Sequence, residues 1–200
     1  MLKSRMFAVV AVIMLGISVW QFADAAMIHA KAWLAQQLLQ HAWQETLAGE
    51  QQAKPWPWAD TWPIARLQVP RMEQDMIVLT GAGGNSLAFA PGHISGTASP
   101  GARGVCVISA HRDTHFRFLK HLRKRDIVML TDNKGYESRY RVIDMRVVDA
   151  GKFRIDEDTA NGLQSEAQQS LLLLTTCYPF DAVIPGGSLR YVVMAEKVTG

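Results

Sequence analysis

The sequence predicts a mainly β fold: an eight-stranded β-barrel with one or two short helices, preceded by an N-terminal transmembrane helix. An uncharged, mostly apolar run from Met6 to Ala23 approaches the ~20 residues that a helix needs to cross a bilayer. From residue 64 onward, short apolar runs alternate with turn signals at the spacing of an all-β fold. About eight such runs favour a closed or nearly closed barrel, because closure hides the edges of the sheet.

The bulk composition is that of a globular chain with little charge bias. The 200 residues give room for one domain and an appendage, and the net charge is only +3. The sequence has no zinc-finger spacing, Gly-rich phosphate loop or RNA-binding aromatic signature, so no nucleic-acid partner is expected. Among the six histidines, only His111 and His115 fall four positions apart, and no HExxH motif surrounds them. We therefore expect neither a metal nor a cofactor.

The first 26 residues predict a membrane anchor. Residues 1–5 form a basic segment, and residues 6–26 form the anchor itself. The basic segment predicts that the N-terminus stays in the cytoplasm while the rest of the chain is exported. Ala23-Asp24-Ala25 also fits a signal-peptide cleavage site, so a cleaved signal peptide is the alternative. We favour the uncleaved anchor because the apolar run is longer than that of a usual signal peptide.

Residues 27–63 are predicted to connect the anchor to the body of the protein, residues 64–200. Sequence rich in Ala, Gln and Leu continues to Gly49 and predicts a helical stalk, or a helix that packs on the body. Residues 51–63, QQAKPWPWADTWP, contain three prolines and three tryptophans, which disfavour regular structure. This segment is interpreted as a linker, or as a strap whose Trp side chains lie on the body.

Seven runs of the body account for most of the eight predicted strands. Each is an apolar or alternating run bounded by turn residues: 64–70, 76–81, 105–111, 126–135, 136–150, 171–176 and 189–198. The run 116–122, FRFLKHL, has helical spacing instead and predicts a short helix.

Three residues of the body carry candidate chemistry. His111 and Cys177 each stand at the end of a predicted strand, and Arg190 stands in the last strand, after a flexible loop. A thiolate is a nucleophile, and a nearby imidazole can take the thiol's proton or stabilise the thiolate. Arginine stays charged and can donate hydrogen bonds to a carbonyl oxygen that becomes negative. The three residues therefore suit a nucleophile, an acid/base and an oxyanion clamp, provided that the fold brings them together.

Each candidate also has a structural interpretation. Cysteine is among the most buried residue types, and Cys106, within VCVIS, fits a core position. His115 and His121 are expected on the surface of the short helix. A disulfide between Cys106 and Cys177 is arithmetically possible but would consume the nucleophile.

Three blocks of sequence resemble one family, the sortases, which are membrane-anchored cysteine transpeptidases of bacteria. Residues 91–119, PGHISGTASPGARGVCVISAHRDTHFRFL, resemble the family block that ends in His-Arg-Asp-Thr. LLTTCYPF resembles the family's Thr-Leu-x-Thr-Cys motif, and SLRYVVMAEKV resembles its arginine-bearing last strand. Two departures are Leu173, where the motif has threonine, and Ala110, where many members have glycine. The Tyr-Pro after the cysteine is most similar to the class D and E-like or proteobacterial branches.

The resemblance implies a fold, roles for the site and a location. The fold would be the sortase eight-stranded barrel, with His111 as acid/base, Cys177 as nucleophile and Arg190 as the stabilising arginine. The implied partners are an exported protein with a C-terminal sorting signal and an amine acceptor that the sequence does not identify. The implied location is the bacterial cytoplasmic membrane, with the catalytic domain on its outer side. Two alternatives remain open: a membrane-anchored cysteine endopeptidase, and an exported peptide-binding module without catalysis.

Overall fold

The computed structural model describes residues 2–151, 170–182 and 186–198. The chain begins with one unbroken helix, α1, Leu2–Leu47. No proline interrupts the first 47 residues, so every backbone N–H along α1 beyond its first turn can donate within the helix. Gly49 follows with a φ of +102°, a conformation that glycine adopts without strain and that commonly ends a helix.

Helix α1 contains a candidate membrane span. Among the described residues it is the one helix long and apolar enough to cross a bilayer, and none of its apolar window is buried within the protein. Trp20 and Phe22 are exposed near the end of the predicted anchor. The N-terminal apolar helix therefore has the properties of a possible membrane anchor.

The chain divides into two compact units, Met1–Leu38 and Leu39–Gly200. The first unit consists of helix α1 up to Leu38. The second unit includes the last turns of α1, where Leu39 and Trp43 are buried in a small apolar cluster with Ile77, Leu79 and Ala90.

The second unit is a closed barrel, as predicted. Its eight strands are β1 Pro63–Val69, β2 Gln74–Thr80, β3 Gly92–His93, β4 Gly104–Ser109, β5 Ile127–Asp132, β6 Glu137–Asp149, β7 Ser170–Cys177 and β8 Leu189–Lys197. They follow the order β1-β2-β3-β4-β7-β8-β6-β5 around the barrel. Pairs β2–β3 and β4–β7 are parallel, and the other neighbours are antiparallel.

Alternation along the strands separates the barrel interior from its outer face. The interior cluster is apolar and includes Cys106, Ile108, Leu172, Leu174 and Val193. Residues of opposite parity on the same strands, Val107, Leu173, Val192 and Met194, form a separate buried cluster on the outer face. One wall of this barrel is therefore apolar on both sides, which explains why LLLL in β7 shows no alternation.

Short helical turns connect the strands. A four-residue helix, α2, spans Gly84–Leu87. The predicted helix over 116–122 is a 3-10 helix, Arg117–His121, whose Phe118 and Leu119 are buried. A further 3-10 turn, Pro70–Met72, joins β1 to β2.

The Pro/Trp segment before β1 has no helix or strand between residues 51 and 62. It lies on the body: the Trp56 ring meets the Phe89 ring edge-on at 4.9 Å, and Thr61 Oγ1 donates to Thr80 O at 2.8 Å. Trp58, in contrast, is 83% exposed. The strap interpretation therefore describes this segment better than a free linker.

Candidate active site

Two parallel strands end side by side at the predicted site. Strands β4 and β7 are paired up to Ser109 and Thr175. Beyond that pair, Ala110 N donates to Thr175 O at 3.3 Å, and Thr176 Oγ1 donates to Ala110 O at 2.7 Å. Since the two segments stay in register, the next residues are His111 after β4 and Cys177 at the end of β7. The structure thus places the predicted histidine at the strand end next to that of the predicted nucleophile.

Arg190 lies across from the predicted nucleophile, Cys177, on the other neighbouring strand. It is the register partner of Cys177 in the antiparallel pair β7–β8. Its Nη1 donates to Gly187 O, in the preceding loop, at 2.7 Å and to Leu189 O, at the start of β8, at 2.9 Å. Cys177 and Arg190 therefore stand on the neighbouring strands β7 and β8, and His111 stands in the turn that follows β4, at the same rim of the barrel.

The site opens to solvent on the outer face. His111 is exposed, while Cys177 and Arg190 are half-buried. Arg190 also lines an open pocket of about 200 Å³ on this face, together with Ile94, Val107, Ser109, Val148, Ala150, Leu173, Thr175 and Val192. The lining is mostly aliphatic, with hydroxyls and one guanidinium toward the rim. Such a pocket suits an apolar side chain of a peptide whose backbone passes Cys177.

Leu173 belongs to the floor of this pocket. It is 1% exposed and packs with Val107, Val192 and Met194. The departure from the sortase motif noted in the sequence therefore lies within the pocket and makes its floor apolar.

The two cysteines occupy different environments. Both are free, Cys106 in the barrel interior and Cys177 half-buried at the rim. Burial raises the pKa of Cys106 to about 12, so it stays a neutral thiol at physiological pH. The core interpretation of Cys106 agrees with its place, and Cys177 is the accessible thiol.

His115 lies deeper than the sequence predicted. It is half-buried rather than on the surface of the short helix, whereas His121 is exposed as expected. Burial lowers the pKa of His115, and the nearby His111 lowers it further, while a hydrogen bond to the backbone of Phe89 opposes both effects. The expectation of a surface position was wrong because residues 111–116 form a turn against the loop that carries Phe89.

Two polar side chains next to the candidate residues make contacts that the sequence did not predict. Thr176 is buried and bonds to Ala110, and Arg112 Nη2 donates to Ala182 O at 2.9 Å. Both adjoin the candidate residues in sequence, but only the fold shows what they contact. Within the described residues, no three His, Cys, Asp or Glu side chains are grouped so that they could hold a metal.

Comparison with known proteins gives the family. The model of the Sortase domain matches residues 67–198, a range that holds His111, Cys177 and Arg190. The chain belongs to the sortase family. Sortase D of Bacillus subtilis (strain 168) is 31% identical over 133 residues, or 66% of this chain and 63% of that protein. The match thus spans somewhat less than two thirds of the length of this curated relative. The relative is a class D sortase, and class D is among the branches that the sequence resembles.

Solved sortase structures show the same barrel. Sortase C-1 of Actinomyces oris has a TM-score of 0.56 and 25% identity, covering 69% of this chain and 74% of that chain. Sortase A of Corynebacterium diphtheriae has a TM-score of 0.59 at 22% identity, covering 83% of this chain and 85% of that chain. The second likeness is one of fold alone. The predicted sortase-like eight-stranded barrel is thereby confirmed.

Proposed function

We propose that this sortase is a membrane-anchored cysteine transpeptidase in which Cys177, His111 and Arg190 perform the chemistry. It would cleave the C-terminal sorting signal of an exported protein and transfer the acyl group to an amine. The observation that carries this proposal is the direct pairing of Cys177 with Arg190, next to the strand end that leads into His111. Family membership supports the cysteine transpeptidase activity.

The first half-reaction forms a thioester. The thiolate of Cys177 attacks a peptide carbonyl carbon, so an S–C bond forms and the carbonyl oxygen becomes an oxyanion. When the tetrahedral intermediate collapses, the C–N bond breaks and the imidazolium of His111 gives its proton to the departing amine. The acyl group then remains on Cys177 while the C-terminal fragment leaves.

The second half-reaction reverses the proton flow. Neutral His111 accepts a proton from the incoming amine as the amine nitrogen attacks the thioester carbon. The S–C bond breaks, a new amide forms, and Cys177 leaves as a thiolate beside the reformed imidazolium. The cycle is redox-neutral, and each proton passes through His111.

Arg190 would stabilise the oxyanion in both half-reactions. Its Nη1 is held by the carbonyls of Gly187 and Leu189. Among the described residues the other guanidinium donors have no hydrogen-bond partner, so they are available to the oxyanion. Arginine has five N–H donors in a fixed plane, so the two bonds to backbone carbonyls can orient the guanidinium and leave three donors.

The membrane anchor would bring the enzyme to its substrate. An exported protein with an apolar C-terminal signal stays at the same membrane before it is processed. Confinement of both partners to one surface raises their effective concentration without tighter binding. The proposed location is the bacterial cytoplasmic membrane, with residues 1–5 in the cytoplasm and residues 64–200 on its outer side.

The test is direct detection of the thioester. The full-length protein in detergent is incubated with a library of peptides that end in candidate sorting signals, and intact mass spectrometry follows. We expect an acyl adduct on Cys177 that hydroxylamine removes. Cys177→Ala should show no adduct, while the matched variant Cys106→Ala should retain it. Turnover by Cys177→Ala would overturn the proposal, and an unchanged rate in Arg190→Lys would remove Arg190 from the mechanism.

Hydrolysis is the second candidate outcome at the same site. His111 is exposed and Cys177 is half-buried, so water can reach the thioester. A cysteine endopeptidase would then release an acid in place of an amide. Product masses with and without an added amine separate the two activities. A peptide-binding module without catalysis would give no adduct in either case, and its Cys177 would label slowly with no dependence on His111.

A further inference from the structure

The candidate histidine stands outside the barrel ladder. Strand β4 ends at Ser109, so His111 belongs to the turn that follows. Phe116 N donates to His111 O at 3.0 Å and closes this turn, and the Phe116 side chain is fully buried beneath it. The position of the His111 ring therefore depends on what holds the turn, residues 111–116, against its neighbours.

Arg112 holds the turn on the side of the nucleophile. It directly follows His111, it is half-buried, and its Nη2 donates to Ala182 O at 2.9 Å. Ala182 lies in the loop that leaves Cys177 and returns as β8. A single guanidinium thus joins the segment after the histidine to the segment after the nucleophile, 70 residues away in sequence.

The loop segment that Arg112 contacts is itself well anchored. The rings of Tyr178 and Tyr191 are stacked with centroids 6.3 Å apart, and the Phe180 ring meets Tyr191 edge-on at 5.2 Å. Tyr178 N donates to Leu189 O at 3.0 Å. The segment after Cys177 is therefore packed on β8 through Tyr178 and Phe180, and the bond from Arg112 to Ala182 O ties the histidine turn to this segment.

His115 holds the opposite side of the same turn through its hydrogen bond to the backbone of Phe89. Phe89 in turn contacts Trp56 of the strap. The turn that carries His111 is thus fixed at two points, Ala182 on the nucleophile side and Phe89 on the strap side. Only the first of these points lies on the segment that follows Cys177 in the chain.

We propose that Arg112 is a positioning residue that sets the placement of His111 relative to Cys177. This inference rests on the proposed function, since it assigns Arg112 to the same site. An arginine suits the task because it stays charged at all working pH values and its planar donor group fixes direction as well as distance. Placement errors of about 1 Å at a catalytic group can cost about 100-fold in rate. Losing this bond should therefore affect chemistry more than stability.

The experiment measures the pH dependence of Cys177 alkylation by iodoacetamide, which needs no knowledge of the natural substrate. Full-length protein in detergent is compared with Arg112→Met, Arg112→Gln and His111→Ala, with modification mapped to Cys177 by peptide mass spectrometry. Methionine keeps an unbranched apolar stem without donors, and glutamine restores one donor toward Ala182 O. Arg117→Met is the matched control, because Arg117 is exposed and its side chain makes no hydrogen bond among the described residues.

We expect alkylation of Arg112→Met at pH 7 to be about tenfold slower than that of the parent, with its pH profile moved toward that of His111→Ala. Arg112→Gln should recover part of the rate, and Arg117→Met should match the parent. Thermal unfolding of each variant identifies any loss of fold. If Arg112→Met does not fold, Arg112→Gln decides the question: an intermediate pH profile supports the positioning role, and a parental profile overturns it.

Two failures are distinguishable. If His111→Ala changes the profile and both Arg112 variants behave as the parent, the positioning role is overturned while the proposed function stands. If His111→Ala itself leaves the profile unchanged, the proposed pairing of His111 with Cys177 fails and the role of Arg112 fails with it.

Discussion

Thr176 Oγ1 donates a hydrogen bond of 2.7 Å to Ala110 O, and this bond is buried. The two residues immediately precede Cys177 and His111. Thr176 has the parity of the interior residues Leu172 and Leu174, whereas Cys177 has the parity of Leu173 on the outer face. Without this bond, the carbonyl oxygen of Ala110 would have no hydrogen-bond donor from Thr176 at the point where the β4–β7 ladder ends. A hydroxyl inside the barrel therefore joins the two strand ends that present the candidate nucleophile and acid/base.

Replacing Thr176 by valine should destabilise the folded protein. Valine has nearly the same shape but no donor, so Ala110 O is left unpaired and the variant should lose about 1–3 kcal/mol of unfolding free energy. Chemical denaturation of the full-length protein in detergent measures this loss. Thr175→Val is the control: Thr175 lines the pocket and its side chain makes no hydrogen bond among the described residues. Equal losses in both variants would contradict the assignment, while Thr176→Ser should stay close to the parent.

The two thiols should differ sharply in reactivity. Because burial raises the pKa of Cys106 to about 12, this residue is protonated at pH 8 and shielded from reagents. Brief alkylation of the native protein at pH 8 should therefore modify Cys177 and leave Cys106 unmodified, whereas both should react in denaturant. Peptide mapping provides the measurement. Modification of Cys106 in the native protein at a rate near that of Cys177 would contradict the buried position.

Much of the fold and the three candidate residues follow from local sequence. Alternating apolar runs predict strands because the side chains of a strand point to opposite faces in turn. Turn residues and the proline after Cys177 mark the strand ends, which is where a site can be open to solvent. Because His111 and Cys177 both stand at the ends of predicted strands, the sequence alone marks them as candidates, although it does not show that the fold brings them together.

Other features depend on contacts between distant segments and leave no local pattern. Strand β3 has two residues, Gly92 and His93, and no periodicity can identify so short a strand. The half-buried state of His115 depends on the loop of Phe89, which packs over it. The place of Leu173 in the pocket floor depends on which face of β7 is outside, and a run of four leucines does not show this.

Gly92 should tolerate no side chain. A Cβ on this residue would collide with the backbone oxygen of Gly81, an atom that cannot rotate away. Gly92→Ala should therefore destabilise the protein by about 1–3 kcal/mol through forced backbone movement. Gly83→Ala is the control, because a Cβ there meets no atom within 4 Å and its φ is −75°. Thermal unfolding of the two variants should separate them, and equal midpoints would show that β3 can shift at no cost.

The ion pair between β1 and β2 should give a pH-dependent increment of stability. Arg66 Nε donates to Asp75 Oδ1 at 2.7 Å, and this bond lowers the pKa of Asp75 against the opposing effect of partial burial. A carboxyl whose pKa is lower in the folded state than the ~3.9 of the unfolded chain stabilises the fold above that value. The increment is lost as the pH falls through the lower, folded pKa.

Both side chains of this pair are more than a quarter exposed, so solvent screens the interaction and Asp75→Asn should cost only about 0.5 kcal/mol at pH 7. The difference between parent and variant should shrink from about pH 4 downward. Urea denaturation of the full-length protein in detergent at a series of pH values measures it. Asp60→Asn is the control, since Asp60 is exposed and forms no ion pair among the described residues. A difference that stays constant down to the most acidic sample, or that grows there, would mean that the carboxylate charge of Asp75 is not what stabilises this strand pair.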